Sequence, residues 1–162
     1  MNPSTLSTTL VSEHHDFAEV HLQTKSNHHL LISTKHFNAG DIISEFHAKE
    51  IHKEASRYTV QTGENQHIIL QPGFLQYINH SCSPNAFFNT TVMKLTALKN
   101  IEPGDEFTFF YPSTEWFMAE PFICLCGEEN CIGTIRGAKD LDKQIVQQYS
   151  FTDFIQSKFN HQ

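Results

Sequence analysis

The sequence predicts a mainly β single domain with small helices late in the chain. Three observations carry this. Short apolar runs alternate with turn signals from Phe17 to Tyr111. Aromatic and β-branched residues fill many of those runs. Helical spacing is confined to the tail after Leu141. A chain of 162 residues with 39% hydrophobic content is long enough, and apolar enough, to bury a core as one domain.

Phe17-Ala18-Glu19-Val20-His21-Leu22 alternates with a period near two, as a half-buried strand does. Leu30-Leu31-Ile32 is a second run. Asn38-Ala39-Gly40-Asp41 reads as a turn, followed by a strand over Ile42 to Phe46. Tyr58-Thr59-Val60, His67 to Leu70 and Val92 to Leu98 read as further strands. Glu102-Pro103-Gly104-Asp105 is a second turn, and Glu106 to Tyr111 is aromatic-rich strand sequence. In the tail, Leu141, Ile145 and Val146 share one helical face, and Phe151, Phe154, Ile155 and Phe159 another. Residues 1–16 read as a loose lead-in.

Charge and composition exclude some functions. Eleven Lys and Arg stand against 18 Asp and Glu, a net charge of -7. Phosphate binding needs a basic patch, so no direct nucleic-acid partner is expected. The same charge suits a basic, Lys-rich partner, or serves only solubility. No apolar run approaches the ~20 residues that span a bilayer. Met1 to Thr9 is polar and lacks the features of a signal peptide. The expectation is a soluble, intracellular protein without a membrane partner, in cytoplasm or nucleus or delivered into a host cell.

Four cysteines are present, and three form Cys124-Leu125-Cys126-Gly127-Glu128-Glu129-Asn130-Cys131. A Cys124–Cys126 disulfide would be strained, and a reducing compartment disfavours it. One structural zinc held by four thiolates fits the spacing and leaves no cysteine over. Four unrelated buried thiols are the alternative. The pairs His14-His15 and His28-His29 lack the helical spacing of a catalytic metal motif.

Two stretches now decide the reading. Phe74-Leu75-Gln76-Tyr77-Ile78-Asn79-His80-Ser81-Cys82-Ser83-Pro84-Asn85 resembles the NHSC-x-PN signature of SET-domain lysine methyltransferases. Gly104-Asp105-Glu106-Phe107-Thr108-Phe109-Phe110-Tyr111 is similar to their GEELTFDY signature. The C-x-C-x4-C run follows in the place of their post-SET zinc motif, and Leu31 to Gly40 is similar to their "LFATRDIPKG" stretch. The resemblance runs from about Leu30 to Gly137.

It implies the SET β-clip fold, with short strands in small sheets, a C-terminal pseudoknot, a post-SET zinc loop and short C-terminal helices. The implied divisions are a lead-in over 1–16, a SET domain over 17–112, a post-SET segment over 113–137 and a helical tail over 138–162. The implied activity is transfer of a methyl group from S-adenosylmethionine to a lysine ε-amine. Cys82 would complete a single zinc site with Cys124, Cys126 and Cys131. Tyr111 would be catalytic, orienting amine and methyl. Phe109, Tyr58 and Tyr77 would line the lysine channel, and Phe109 would set a di- or trimethyl product. His29, Leu30, Asn79, His80, Tyr111 and Ile135 would contact the cofactor. Trp116 and Phe117 would lid the site or simply pack.

The chain departs from the pattern in places. The family's Gly-x-Gly is His28-His29-Leu30 here, and a side chain there obstructs close backbone approach to the cofactor. Gln76 and Phe110 replace a common Arg and Asp. A SET-fold binding module without turnover is therefore a second reading, and a zinc-stapled interaction protein unrelated to SET a third. The implied partner is a lysine-containing protein, such as a histone or another basic tail. The chain itself is expected as a monomer or a homodimer.

Overall fold

The computed structural model describes residues 8–14 and 16–161. Among them the strands run in chain order as β1 (Thr8–His14), β2 (Ala18–Gln23), β3 (His28–Ser33), β4 (Ile42–Glu45), β5 (His47–His52), β6 (Thr59–Gly63), β7 (Gln66–Gln71), β8 (Asn79–His80), β9 (Ala86–Asn89), β10 (Lys94–Ala97), β11 (Thr108–Phe109), β12 (Phe122–Ile123) and β13 (Thr134–Ile135). Helices α1 (Lys143–Val146) and α2 (Asp153–Asn160) follow. The three-stranded sheets have the orders β1-β2-β3, β4-β10-β9 and β5-β7-β6. β8 pairs with β11 in parallel, and β12 with β13 antiparallel. The molecule is thus mainly β, with its helices at the end, as expected.

Where the sequence alternates, the strands face as read. On β2 and β3, Ala18, Val20, Leu31 and Ser33 turn inward. Ala18, Val20 and Leu31 meet Phe46, Ile68, Leu70, Phe88, Leu95, Ile101 and Phe107 in the main core. Phe17 joins that core, with its ring 5.6 to 6.1 Å from those of Phe37, Phe74 and Phe107. A second core packs Phe110, Trp116, Phe151 and Ile155 under the tail. Thr152 caps α2, its hydroxyl accepting from the Ile155 amide.

Several expectations need correction. The lead-in is not loose beyond its start: Thr8 to His14 pairs antiparallel with β2, from Thr8 opposite Gln23 to His14 opposite Ala18. Residues 1–7 and His15 lie outside the described residues. The expected strand at Val92 begins only at Lys94, because Met93 sits at φ 53° in the preceding turn. The strand expected over 106–111 is regular only at Thr108–Phe109, and Tyr111–Ser113 forms a 3-10 turn. Pro112 lacks the N–H that a strand would use. Phe151 precedes α2 rather than lying on it.

One crossing positions the site. Gly104 donates to the Ser33 carbonyl, and Ser33 and Phe107 donate to those of Asp105 and Leu31, each at 2.8 Å. Gly104 has φ +96°, in the left-handed region that the turn requires. On the other side, Asn85 Nδ2 donates to the Glu106 carbonyl at 2.8 Å and Thr108 donates to Asn85 Oδ1 at 2.9 Å. The segment 104–109 is therefore held between β3 and the loop that begins at Asn79. Farther on, the segment 116–137 passes so close to itself that a Cβ on Gly137 would lie 2.5 Å from the Trp116 carbonyl oxygen.

Candidate active site and cysteine cluster

The parallel β8–β11 pair puts Asn79 opposite Thr108 and His80 opposite Phe109. Two residues past β11, the Tyr111 ring lies 4.6 Å from Phe109, 5.3 Å from His80 and 5.9 Å from Phe122. Its hydroxyl donates to the Ile78 carbonyl over a long 3.4 Å. Burial, helped by the nearby Glu106 carboxylate, pushes the phenol up to about 12. Tyr111 thus stays protonated at neutral pH. It can orient a partner by hydrogen bonding but is poorly suited to act as a general base.

Both amide hydrogens of Asn79 are engaged, one by the His29 carbonyl at 2.8 Å and one by Glu106 Oε1 at 3.0 Å. Burial raises the Glu106 carboxyl above its ordinary value, while the Asn79 bond lowers it. The Asn79 side chain is half-buried, and its oxygen takes no protein donor among the described residues. It therefore remains able to accept from a bound ammonium or amide.

The His80 ring bridges two parts of the site. The Tyr111 amide can only donate, so the Nδ1 it meets at 3.2 Å is the acceptor. The proton then sits on Nε2, 3.4 Å from the Cys82 sulfur. Burial holds this imidazole down to about 4, so it is neutral at physiological pH.

The sulfurs of Cys82, Cys124, Cys126 and Cys131 all lie within 4.8 Å of one another, with Cys82 and Cys124 3.9 Å apart. A tetrahedral ion with sulfur arms of 2.3 Å requires edges of about 3.8 Å. Donor type, number and spacing therefore fit one metal ion. Ile135 is fully buried beside Cys82 and Cys124, within this cluster.

The remaining predicted residues divide. Phe109 is buried against Tyr111 and Phe88. Tyr77 packs on the main core and stacks on His29 at 4.7 Å. Leu30 is buried on the regular strand β3. Tyr58 is exposed, its ring beneath the Arg57 guanidinium at 5.3 Å. Trp116 is buried, 5.5 Å from Phe159, and packs the tail instead of covering the site.

Three neighbours escaped the sequence reading. Glu106 stands in the GEELTFDY-like signature and in strand sequence without an assigned role, Phe122 carries no signal, and Tyr149 lies in a tail read for helical spacing. Phe122 also lines a cavity of about 540 Å³ with Met118, Thr134 and Arg136.

The SET-domain family pattern matches residues 28–112, just over half of the chain. "Methyltransferase flvH" of Aspergillus flavus is 43% identical over 93 residues, covering 56% of this chain and 52% of that protein. "Histone-lysine N-methyltransferase, H3 lysine-36 specific" of Kluyveromyces lactis is 34% identical over 100 residues, 58% of this chain and 14% of that protein. The chain thus spans about half the length of the first relative and a small part of the second. Its fold is similar to that of KRYPTONITE, solved with mCHH DNA, an H3(1-15) peptide and SAH, at a TM-score of 0.55 and 23% identity over 75% of this chain and 30% of that one. The reading as a zinc-stapled protein unrelated to SET is thereby overturned: the chain belongs to the SET-domain family of methyltransferases, with histone-lysine methyltransferases among its relatives.

Proposed function

We propose that this chain is a protein-lysine N-methyltransferase that uses S-adenosylmethionine and carries lysine to the di- or trimethyl state. The observation that supports this best is the half-buried, protonated Tyr111 hydroxyl beside the Phe109 ring, with Asn79 and His80 on the adjoining strand. S-adenosylmethionine, when bound, supplies an electrophilic methyl group on a sulfonium. Asn79 would hold its methionine end through the open side-chain oxygen, with His29, Leu30, His80 and Ile135 around it. Glu106 adds a carboxylate suited to a cationic guest.

A lysine amine is protonated at neutral pH, with an ordinary pKa near ~10.4. A channel walled by Phe109, Tyr77 and Tyr58 would strip water from the ammonium and favour its neutral form. The Tyr111 hydroxyl would then aim the nitrogen, and such positioning supplies much of the rate. In this reading one structural zinc sits on Cys82, Cys124, Cys126 and Cys131. The SET domain runs over 17–112, the post-SET segment over 113–137 and a tail over 138–162. The substrate is a lysine on a basic protein tail, of the histone class that the relatives' names give.

The test is mass spectrometry of histone and other Lys-rich peptides incubated with protein and S-adenosylmethionine. Methylated lysine is expected. A specific observation favours the second reading, a binding module: β3 is regular from His28, with side chains where the family has glycine. Cofactor binding without turnover on any such peptide would select it.

A further inference from the structure

The tail after Gly137 lies beyond both signature motifs, yet one of its residues touches both segments of the crossing. The Tyr149 ring stacks on Phe110, with centroids 3.7 Å apart and planes only 4° from parallel. Its hydroxyl donates to the Cys82 carbonyl at 2.6 Å. Asn130 Nδ2 donates to the same carbonyl at 2.7 Å and to the Tyr149 hydroxyl at 3.2 Å. Phe110 is the residue before Tyr111, and Cys82 lies two residues past His80. Between these points, Ser81 donates to the Phe109 carbonyl at 3.1 Å and Tyr111 donates to His80 Nδ1 at 3.2 Å.

We infer that Tyr149 is a positioning residue, clamping the Phe110 ring to the Cys82 carbonyl and so fixing where the Tyr111 hydroxyl stands. This rests on the proposed methyl transfer only for its kinetic consequence. A flat ring held by its face and by a directed hydrogen bond has little freedom, and the catalytic chemistry asked of Tyr111 is sensitive to small displacements. The rest of the tail is anchored independently. Thr152 donates to the Ser113 carbonyl at 3.0 Å, Thr91 to Asp153 at 2.7 Å, and Lys158 pairs with Glu64 at 2.8 Å. Changing Tyr149 therefore loosens the clamp without releasing the tail.

The experiment compares Tyr149→Phe, which keeps the stack, with Tyr149→Leu, which loses stack and hydrogen bond, in the zinc-loaded full chain. Tyr149→Phe should lower kcat about fivefold, the equivalent of one hydrogen bond, with peptide KM and metal content unchanged. Tyr149→Leu should lower it further. On a Tyr111→Phe background, Tyr149→Phe should have no further effect, because the hydroxyl it positions is gone. Amide exchange at Ser81 and Tyr111 should quicken in Tyr149→Phe, while β1 to β3 stay protected. An unchanged kcat, an equal loss on the Tyr111→Phe background, or a loss explained by lost metal would overturn the inference. If wild type transfers no methyl, faster exchange at Ser81 and Tyr111 alone supports the clamp, and unchanged exchange overturns it. The methyltransferase reading then fails separately.

Discussion

The side-chain amide of Asn79 donates to the main-chain carbonyl of His29 at 2.8 Å, tying the NHSC loop to strand β3. Its second hydrogen reaches Glu106. Asn79→Ala would leave two partly buried acceptors unmet, each costing ~1–3 kcal/mol. The variant should melt lower than wild type and bind S-adenosylmethionine at least about tenfold more weakly. Thermal unfolding and calorimetric titration check these in turn, and wild-type affinity with intact stability would remove Asn79 from the site.

The cysteine cluster predicts one zinc per chain. Because Cys82 lies in the NHSC loop and the other three cysteines at positions 124–131, the ion would tie those regions together. Elemental analysis should give one zinc per chain. Chelation, or Cys82→Ser, should open the segment after Pro121 to protease while β1 to β3 stay resistant. A purified chain without zinc would refute this.

Glu115 makes stability depend on pH. Its carboxyl is buried, accepts from the Gln61 amide at 2.9 Å and from the Thr114 hydroxyl at 3.0 Å, and burial pushes it up to about 7 against 4.5 for an ordinary glutamate. A carboxyl raised on folding contributes stability that is complete below the unfolded value and is lost as pH rises through the folded one. The loss therefore falls between pH 4.5 and about 7, and amounts to up to about 3 kcal/mol. Glu115→Gln abolishes that titration. Relative to wild type, the variant should gain stability from pH 5 to pH 8 in urea unfolding. A constant difference over that range would show that Glu115 titrates normally.

Much of the fold was legible because side-chain alternation reports the face of a strand directly. Ala18 and Val20 on β2, Leu31 and Ser33 on β3, and Ile68 and Leu70 on β7 are buried two residues apart, so those stretches carry the pattern. β5 is almost wholly exposed and pairs through its backbone, which leaves no hydrophobic pattern to read. The cysteines were legible for another reason: one residue type at short spacing has few uses. Tyr149 and Glu115 were not, because their roles come from the path of the chain. A tail tyrosine meets Phe110 only after the chain beyond residue 113 has turned back, and nothing local to residue 149 encodes that meeting.

Phe109 should govern how many methyls are added. It is buried against Tyr111, and its ring offers no hydrogen-bond donor to hold a water where a further methyl must fit. A tyrosine there could hold one, an energy of about 0.5–1.5 kcal/mol that at its upper end shifts product ratios roughly tenfold. Wild type should give di- or trimethyl-lysine on exhaustive turnover, and Phe109→Tyr mostly monomethyl-lysine. Only monomethyl product from wild type would show that another residue sets the limit.

The role proposed for Tyr111 is in methyl transfer to lysine. It is tested most directly by following a lysine peptide by mass spectrometry with S-adenosylmethionine and either wild type or Tyr111→Phe. The lost hydroxyl has one long bond, to Ile78, so the variant should keep its melting temperature. Wild type should methylate the lysine, and Tyr111→Phe should do so at least about a hundredfold more slowly. No methylation by cofactor-bound wild type, or equal rates from the two proteins, would contradict the account.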